Sequence, residues 1–222
     1  MIERSIQHLR AERPAATETA EEARERLGAL FPRGALRRMT HLGLLVGATL
    51  DGLAVGADDT IVYATTYSET RALEDYLASF PAPSPLLFQL SIHPSAVQQV
   101  LIGRQRSVRR FVPLTGRRRL VEHALLAALL DPAPRVVLAG GEERGTWLLD
   151  HGVASDRAFA FALGLAAGPD PAATGRLTFD EAPSASAADP CPSLPAWADA
   201  LAERRPLRWR GFGGAYALEW TG

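Results

Sequence analysis

Segments with the helical spacing of apolar residues alternate along this chain with segments of strand-like composition, and this pattern predicts an α/β protein. From Leu36, the segment LRRMTHLGLLVGATLDGL has a wide apolar face at helical spacing, and TIVYATTY, after Gly56, has the β-branched and aromatic content of a strand. A second helix, TRALEDYLASF, ends at the prolines of PAPSP, and LLFQLSIHPSAVQQVLIG is a helical segment interrupted or started at Pro94. Helices and strands therefore alternate through this part of the chain.

The stretch RRFVPLTGRRRLVEHALLAALLDPAPRVVLAGGEE, residues 109–143, has the pattern strand, corner, helix, strand. A β-branched and aromatic run leads to the pair Thr115 and Gly116, and a helical pattern follows from Arg117 to Leu130. The run RVVLAGG is predicted to be a second buried strand. Because corners of this kind often carry nucleophiles, this one is the first candidate for chemistry.

The two ends of the chain differ from the middle. Residues 1–35 are rich in Ala, Glu and Arg and predict an exposed helical arm, partly mobile. RAFAFALGLAA and GRLTFDEA predict two neighbouring strands, PSASAADPCPSLP a surface linker, and AWADALAER a short helix before two aromatic strands, LRWRGF and AYALEW. A single domain, 1–222, is predicted, with an arm (1–35), a core (36–181) and a linker followed by the C-terminal helix and strands (182–222).

Composition excludes several classes of protein. A formal net charge of -1 over 222 residues gives no global attraction to nucleic acid or anionic membranes. The N-terminus lacks an apolar signal core, and no stretch approaches the roughly 18 apolar residues of a spanning helix, so a cytoplasmic protein is predicted. The single cysteine, Cys191, excludes an internal disulfide. No cofactor is predicted and no metal site, since no His, Asp or Glu spacing resembles a ligand set, and His41 and His151 lack a local constellation.

The order of these segments resembles the N-terminal half of the β-ketoacyl synthases, over roughly residues 36–167. The resemblance rests on LRRMTHLGLLVGATLDGL, TIVYATTYSETRALEDYL, the strand, corner and helix after Arg109, and GGEE at 140–143, which matches the family's Gly-Gly-x-Glu motif. More narrowly, the chain resembles small ketoacyl-synthase-like proteins of this half alone, some of which accompany pigment pathways of the aryl-polyene type. The resemblance implies a mixed, mainly parallel sheet flanked by helices, one half of a thiolase-like fold. It also implies an oligomer in which the strand at 107–114 pairs with its counterpart in another subunit.

At the position of the nucleophile, the chain departs from that family. The condensing enzymes carry an acyl-accepting cysteine at a fixed distance before the Gly-Gly motif, and here that distance falls on Thr115 or Gly116. The family's two decarboxylating histidines belong to a C-terminal half that is expected to be missing. A threonine hydroxyl needs an adjacent base, and His123 lies about two helical turns away. A pseudoenzyme without autonomous condensing activity is therefore predicted.

Two residues remain as catalytic candidates, and each has a structural alternative that we favour. Thr115 is a candidate hydroxyl nucleophile, but a threonine at a helix start is also a preferred N-cap. His93, in LSIHPS, is placed to face the same cleft, but a hydrogen-bonded structural histidine is the commoner case. Gly116 is predicted to allow a tight turn. Glu142 is predicted to fix its loop, as the resemblance implies.

Seven arginines lie within the sixteen residues from 104 to 119, a local excess in a chain with no net positive charge. Three of them are predicted in the first turn of a helix, where the macrodipole disfavours cations, which suggests an acidic neighbour. An acyl carrier protein or a partner subunit would supply one, and pairing with internal acids is the alternative. Nucleic acid is not predicted, because aromatic residues are scarce in the cluster. The candidate partner-binding residues are Arg109, Arg110, Arg117, Arg118 and Arg119.

Three functions stay open at this point. The favoured one is a non-catalytic or weakly catalytic ketoacyl-synthase-like accessory protein in fatty-acid or polyketide-type biosynthesis, acting with a partner ketoacyl synthase or an acyl carrier protein as a homo- or heterodimer. The second is an acyltransferase or thioester hydrolase that uses Thr115. The third is a scaffold without an acyl ligand.

Overall fold

The computed structural model describes residues 1–181, 190–211 and 213–221. Its strands are β1 (Ile2–Glu12), β2 (Thr60–Thr65), β3 (Arg110–Thr115), β4 (Arg135–Glu142), β5 (Phe159–Ala167), β6 (Gly175–Asp180), β7 (Leu207–Gly211) and β8 (Gly214–Trp220). Its helices are α1 (Ala20–Leu27), α2 (Arg33–Leu36), α3 (His41–Asp51), α4 (Thr70–Ala78), α5 (Pro85–Ser91), α6 (Ser95–Gly103), α7 (Leu120–Leu130), α8 (Trp147–Asp150) and α9 (Leu194–Ala202). None of the helices in these ranges is long and apolar enough to cross a membrane.

The strands form one mixed sheet of eight, in the order β3-β2-β4-β5-β1-β6-β8-β7. Helices lie on both of its faces, so the predicted α/β class with a mixed, helix-flanked sheet is confirmed. The expectation of a mainly parallel sheet is wrong: within the described residues two strand pairs are parallel, β2 with β3 and β2 with β4, and five are antiparallel. Parallel pairing is confined to strands that helical segments join, because a parallel pair needs a long crossover.

The N-terminal segment predicted as a helical arm begins with a strand in the middle of the sheet. Strand β1 lies between β5 and β6 and pairs antiparallel with both, so β5 and β6 are not the neighbours that the sequence predicted. Its polar residues are buried with specific partners: the Arg4 guanidinium donates to the backbone oxygens of Asp131 and, at 3.0 Å, Ala133. Because these partners lie more than 120 residues away, no local pattern indicates them.

Several helices begin where a capping side chain accepts a backbone N–H of the first turn. Thr19 forms a reciprocal capping box with Glu22 at the start of α1, so the helical part of the predicted arm is present at Ala20–Leu27. At the start of α3, Gly43 N donates to the Thr40 hydroxyl at 3.0 Å. At the start of α9, Ala196 N donates to the Ser193 hydroxyl at 3.3 Å. Local polar residues therefore determine where these helices begin.

The core has two layers, one on each face of the sheet. On one face, α1, α3 and α6 pack against β2, β4 and β5 through residues such as Leu42, Ile61 and Val137. On the other face, α7 and α9 pack through residues such as Leu125 and Trp197. Each fully buried side chain of this size contributes about 1.5–3 kcal/mol relative to exposure, so both layers hold the sheet firmly.

The C-terminal segment folds into the predicted helix and two strands, α9, β7 and β8. Strands β7 and β8 form an antiparallel hairpin at one end of the sheet. Trp209 is buried, stacks on Tyr216 with 5.2 Å between ring centroids, and meets Trp197 edge to face at 6.0 Å. These three rings attach the segment to α9 and the sheet. Most of the predicted linker, residues 182–189, lies outside the described residues.

Candidate functional site

The predicted corner lies at the carboxyl end of β3. Thr115 is the last residue of that strand, in register with Thr65 of β2, and its side chain is exposed. Its hydroxyl donates to the backbone oxygen of Thr66 across 3.4 Å, a long hydrogen bond. Gly116 follows with φ +148°, a conformation that side-chain-bearing residues rarely adopt, so the turn favours glycine.

The predicted N-cap and helix start at this corner are wrong. Helix α7 begins at Leu120 rather than Arg117, and its N-cap position is Arg119, with φ +56° and no side-chain capping bond. Thr115 is therefore not a cap, and Arg117 and Arg118 lie in the loop before the helix rather than in its first turn. The helix macrodipole gives the physical reason, because three consecutive cations in a first turn would be disfavoured.

Within the described residues, His93 forms no hydrogen bond with Thr115. The His93 ring stacks on the buried Tyr63 ring, with 5.6 Å between centroids, and neither of its nitrogens has a hydrogen-bond partner among the described residues. Burial lowers the pKa of His93 to about 4, so the ring is neutral at pH 7. His123 is exposed on α7. The Thr115 hydroxyl thus contacts a backbone oxygen and not a histidine base.

Glu142, at the end of β4, is buried and accepts hydrogen bonds from the backbone N–H groups of Thr66 and, at 3.2 Å, Tyr67. These bonds hold the turn after β2, in line with the expected role of fixing a loop. Burial raises the pKa of Glu142 to about 7, against the lowering effect of its bonds with Thr66. The Glu142 carboxyl group therefore holds the turn after β2, to which the Thr115 hydroxyl is also bonded.

Its neighbour Glu143, the last residue of the GGEE motif, is also fully buried and was not predicted to have a role. Its carboxylate accepts from Leu42 N at 3.2 Å and Arg71 N at 2.8 Å, which are first-turn groups of α3 and α4. Burial raises the pKa of Glu143 to about 8. One side chain at the end of β4 therefore joins the starts of two helices.

Two more buried carboxylates, Glu69 and Glu74, have the same role. Glu69 accepts from Ala96 N in the first turn of α6, and Glu74 accepts from Thr146 N at 2.7 Å and Leu148 N at 3.0 Å near α8. Sequence reasoning missed them because their partners are backbone groups of distant segments. The GGEE motif is the one signal in the sequence that pointed toward this cluster.

The arginine cluster does not form one continuous patch. Arg109 and Arg110 lie at the start of β3, whereas Arg117, Arg118 and Arg119 follow its end, and a strand of six residues spans about 20 Å. The Nη1 atom of Arg110 lies 3.5 Å from the Asp131 carboxylate. The sequence cluster is therefore divided between two ends of an exposed strand.

Internal contacts also differ among the three arginines after β3. The Arg117 guanidinium lies over the Tyr67 ring, 5.0 Å from its centroid, and donates to the backbone oxygen of Gly152. The Nε atom of Arg119 is 3.9 Å from the Glu122 carboxylate. Arg118 is exposed. Arg117 consequently ties the corner to neighbouring loops, and Arg118 is the better candidate for contact with another molecule.

Exposed apolar side chains are concentrated on the segment α4–α6. Of the eleven large apolar residues that are exposed in the described ranges, six lie there. They are Leu77, Phe80, Leu86, Phe88, Ile92 and Ile102. We call this set the α4–α6 apolar surface. In the same ranges, no group of three or more His, Cys, Asp or Glu side chains is arranged to hold a metal ion.

No family model matches the chain, and no curated protein matches it. Among solved structures, a chain of the ketosynthase ApeO in complex with its chain length factor ApeC, from Xenorhabdus doucetiae, is matched over 99% of this chain and 100% of its own, with 19% identity and a TM-score of 0.67. The ishigamide ketosynthase/chain length factor is 15% identical over 81% of this chain and 67% of that one, with a TM-score of 0.57. A β-ketoacyl synthase from Burkholderia phymatum STM815 is 13% identical over 85% and 67%, with a TM-score of 0.53. The chain therefore has a ketosynthase-like, thiolase-type fold.

Proposed function

We propose that this protein is a ketosynthase-like accessory protein that lacks condensing activity of its own and acts with a partner ketosynthase in fatty-acid or polyketide-type biosynthesis. The observation that carries the proposal is the chemistry of the corner. By the resemblance, the cysteine position of the condensing enzymes falls at Thr115 or Gly116 in this chain, and the Thr115 hydroxyl contacts the backbone oxygen of Thr66. An aryl-polyene type pathway is the setting that the sequence resemblance favours.

The corner is poorly suited to nucleophilic catalysis. Acyl transfer to an enzyme requires a thiolate or a hydroxyl activated by a nearby base. The Thr115 hydroxyl donates its bond to a carbonyl oxygen, which cannot remove a proton, and the neutral His93 ring is stacked on Tyr63 instead. This geometry argues against the acyltransferase or hydrolase alternative.

The partner in the proposal is supported by the structural similarity over the full length. A chain of a ketosynthase and chain length factor complex is matched over essentially all of its residues and all of this chain's. At 19% identity the similarity shows a shared fold only. The pairing of a ketosynthase with a chain length factor is a property of that complex. It makes a second ketosynthase-like chain the first partner to test.

Two surfaces are available for such a partner. Strand β3 forms one edge of the sheet, and its backbone groups on that side have no neighbouring strand in the described residues. The α4–α6 apolar surface adds exposed side chains such as Phe80 and Ile102. Open strand edges and apolar patches are features that a second chain commonly covers. An acyl carrier protein is the second proposed partner, through the exposed Arg109 and Arg118.

A condensation assay tests the proposal directly. The purified chain, a cysteine-bearing ketosynthase from the same organism, and the two together are each supplied with acyl and malonyl thioesters, and products are measured by mass spectrometry. We expect no product from the chain alone and a change in the amount or length of product from the pair. Thr115→Ala should act like the native chain.

The outcomes separate the three functions. Product from the chain alone, lost in Thr115→Ala, would contradict the proposal. An acyl group found on Thr115 would instead support the transferase alternative. If the chain binds a ketosynthase but does not change its products, the result would favour the third function, a scaffold without an acyl ligand.

A further inference from the structure

A small cavity lies beyond the carboxyl end of β4, apart from the corner. Its volume is about 90 Å³, and its walls are the loop between β1 and α1, the start of α3, the start of α4 and the loop after β4. Its charged or titratable lining side chains are Glu18, His41, Arg71 and Arg144. The proposed function uses none of these residues.

The His41 side chain is buried in this cavity with an unused polar atom. Only 6% of the residue is exposed, and its Nε2 atom has no hydrogen-bond partner among the described residues. The nearest acid, Glu18, has its Oε1 atom 3.6 Å away, which is too long for a hydrogen bond. Because buried polar atoms are normally satisfied, this nitrogen indicates a partner from outside the chain.

Arg71 and Arg144 bring positive charge to the cavity from two different elements. The Arg71 guanidinium forms an ion pair with Glu74, whose carboxylate oxygen lies 3.6 Å from its Nε atom. Arg144 donates to the backbone oxygen of Ala16 at 3.4 Å. Since each guanidinium has five N–H donors, both retain donors for a ligand. A pair of arginines at one cavity is typical of a site for an oxyanion.

The acidic groups nearby cancel this charge only in part, since Glu74 pairs with Arg71 and leaves Arg144 without a carboxylate partner among the ion pairs of the described residues. Glu18 accepts two hydrogen bonds from Arg26, at 2.8 and 3.0 Å, so its charge is paired within the chain. Glu143 lies behind the cavity at the starts of α3 and α4, and its raised pKa, about 8, leaves it largely protonated at pH 7. Both helix starts also contribute a positive end of their macrodipoles.

We propose that this cavity binds a phosphate-class oxyanion, with Arg71 and Arg144 at its mouth and His41 Nε2 donating at its floor. A volume of 90 Å³ equals the share of about three liquid water molecules, which is room for a group of five heavy atoms. The anion is either free inorganic phosphate or a phosphate monoester on a larger molecule.

Isothermal titration of the full chain with inorganic phosphate, at constant ionic strength, tests the site. We expect saturable binding that Arg144→Gln weakens about tenfold or more, because a charge-assisted bond is lost. Arg33→Gln is the matched control, since it removes the same charge from an exposed residue that does not line the cavity. Arg144 is exposed, so the variant should fold, and an unchanged melting temperature without phosphate checks this.

A second readout and a second ligand complete the experiment. The ¹⁵N resonances of the His41 ring should move on phosphate addition in the native chain. Tighter binding of methyl phosphate than of inorganic phosphate would identify an ester as the source, and the reverse would identify the free anion; either supports the site. Absence of saturable binding, or equal weakening in Arg144→Gln and Arg33→Gln, would overturn the proposal.

Discussion

The two edges of the sheet are built differently. Strand β7 forms one edge, and its inward residue, Trp209, is 1% exposed and stacked on Tyr216, while the residues on either side are exposed arginines, Arg208 and Arg210. Strand β3 forms the other edge with the sequence RFVPLT, where no charged residue follows Arg110. Charges on an edge strand discourage pairing with another chain. The β7 edge is therefore protected, and the β3 edge is open apart from one proline that lacks an N–H.

Because of this difference, we expect the β7 end of the sheet to serve stability and the β3 end to serve association. The β7 end holds the fold together through aromatic packing across α9, β7 and β8. The β3 end presents backbone groups, the corner and the divided arginines, with internal support from the buried glutamates behind it. Stability should depend most on the first end, and association on the second.

The largest expected effect is loss of the aromatic anchor at the β7 end. Trp209→Ala should lower the free energy of unfolding by about 3–5 kcal/mol, because a large buried side chain leaves a cavity. Urea denaturation measures the change. Trp147→Ala is the control, since Trp147 is 42% exposed and its loss should cost less than about 1 kcal/mol. Equal costs for the two variants would contradict the assigned role of Trp209.

On the β3 side, the sharpest test is the dependence of stability on pH. The Glu143 carboxyl has its pKa raised by burial from 4.5 to about 8, so the folded state binds its proton more tightly than the unfolded chain does. The resulting stabilisation is complete below pH 4.5 and is lost as the pH rises through about 8. The free energy of unfolding should therefore fall by at least about 1 kcal/mol between pH 5.5 and 8.5.

The matched variants for that test are Glu143→Gln and Glu25→Gln. Glutamine does not titrate, so Glu143→Gln should reduce the fall with pH. Glu142, whose pKa burial raises to about 7, should cause part of the fall that remains. Glu25 is exposed, and its replacement should leave the slope as it is in the native chain. A slope that Glu143→Gln does not change would show that other groups cause the pH dependence.

Local patterns predicted the elements of this fold well and their neighbours poorly. The core helices, the strand before the corner and the C-terminal helix and hairpin follow from apolar periodicity and capping residues. The central position of β1 in the sheet did not follow from local patterns. The buried Arg4 of this strand needs the backbone oxygens of Asp131 and Ala133, which lie far along the chain. The sequence also located the corner but not its geometry, since Arg117 turned out to contact Tyr67 and Gly152 rather than begin a helix.

A smaller effect separates two adjacent arginines. Arg117→Gln should cost about 1–2 kcal/mol of stability, because it removes the contact with the Tyr67 ring and a charge-assisted bond to Gly152. Arg118→Gln should change stability by less than about 0.5 kcal/mol, as an exposed substitution does. Thermal denaturation compares them. If both variants are equally stable, the contacts of Arg117 do not support the corner.

The smallest expected effect is at Thr115. Because its hydroxyl makes one long bond to Thr66 and caps no helix, Thr115→Ala should change the free energy of unfolding by less than about 0.5 kcal/mol. Thr40→Ala, at a true N-cap, should cost about 1 kcal/mol. A cost at Thr115 as large as at Thr40 would mean that the hydroxyl has a stronger partner than Thr66.

We propose that a second ketosynthase-like chain covers the β3 edge, and amide hydrogen exchange on the co-expressed pair tests this proposal most directly. The chain is measured alone and with a cysteine-bearing ketosynthase from the same organism. We predict that the β3 amides that are not bonded to β2 exchange more slowly in the pair, while those at 207–211 are unchanged. Slower exchange at 207–211, or an unaltered rate across β3 in a formed complex, would contradict the account.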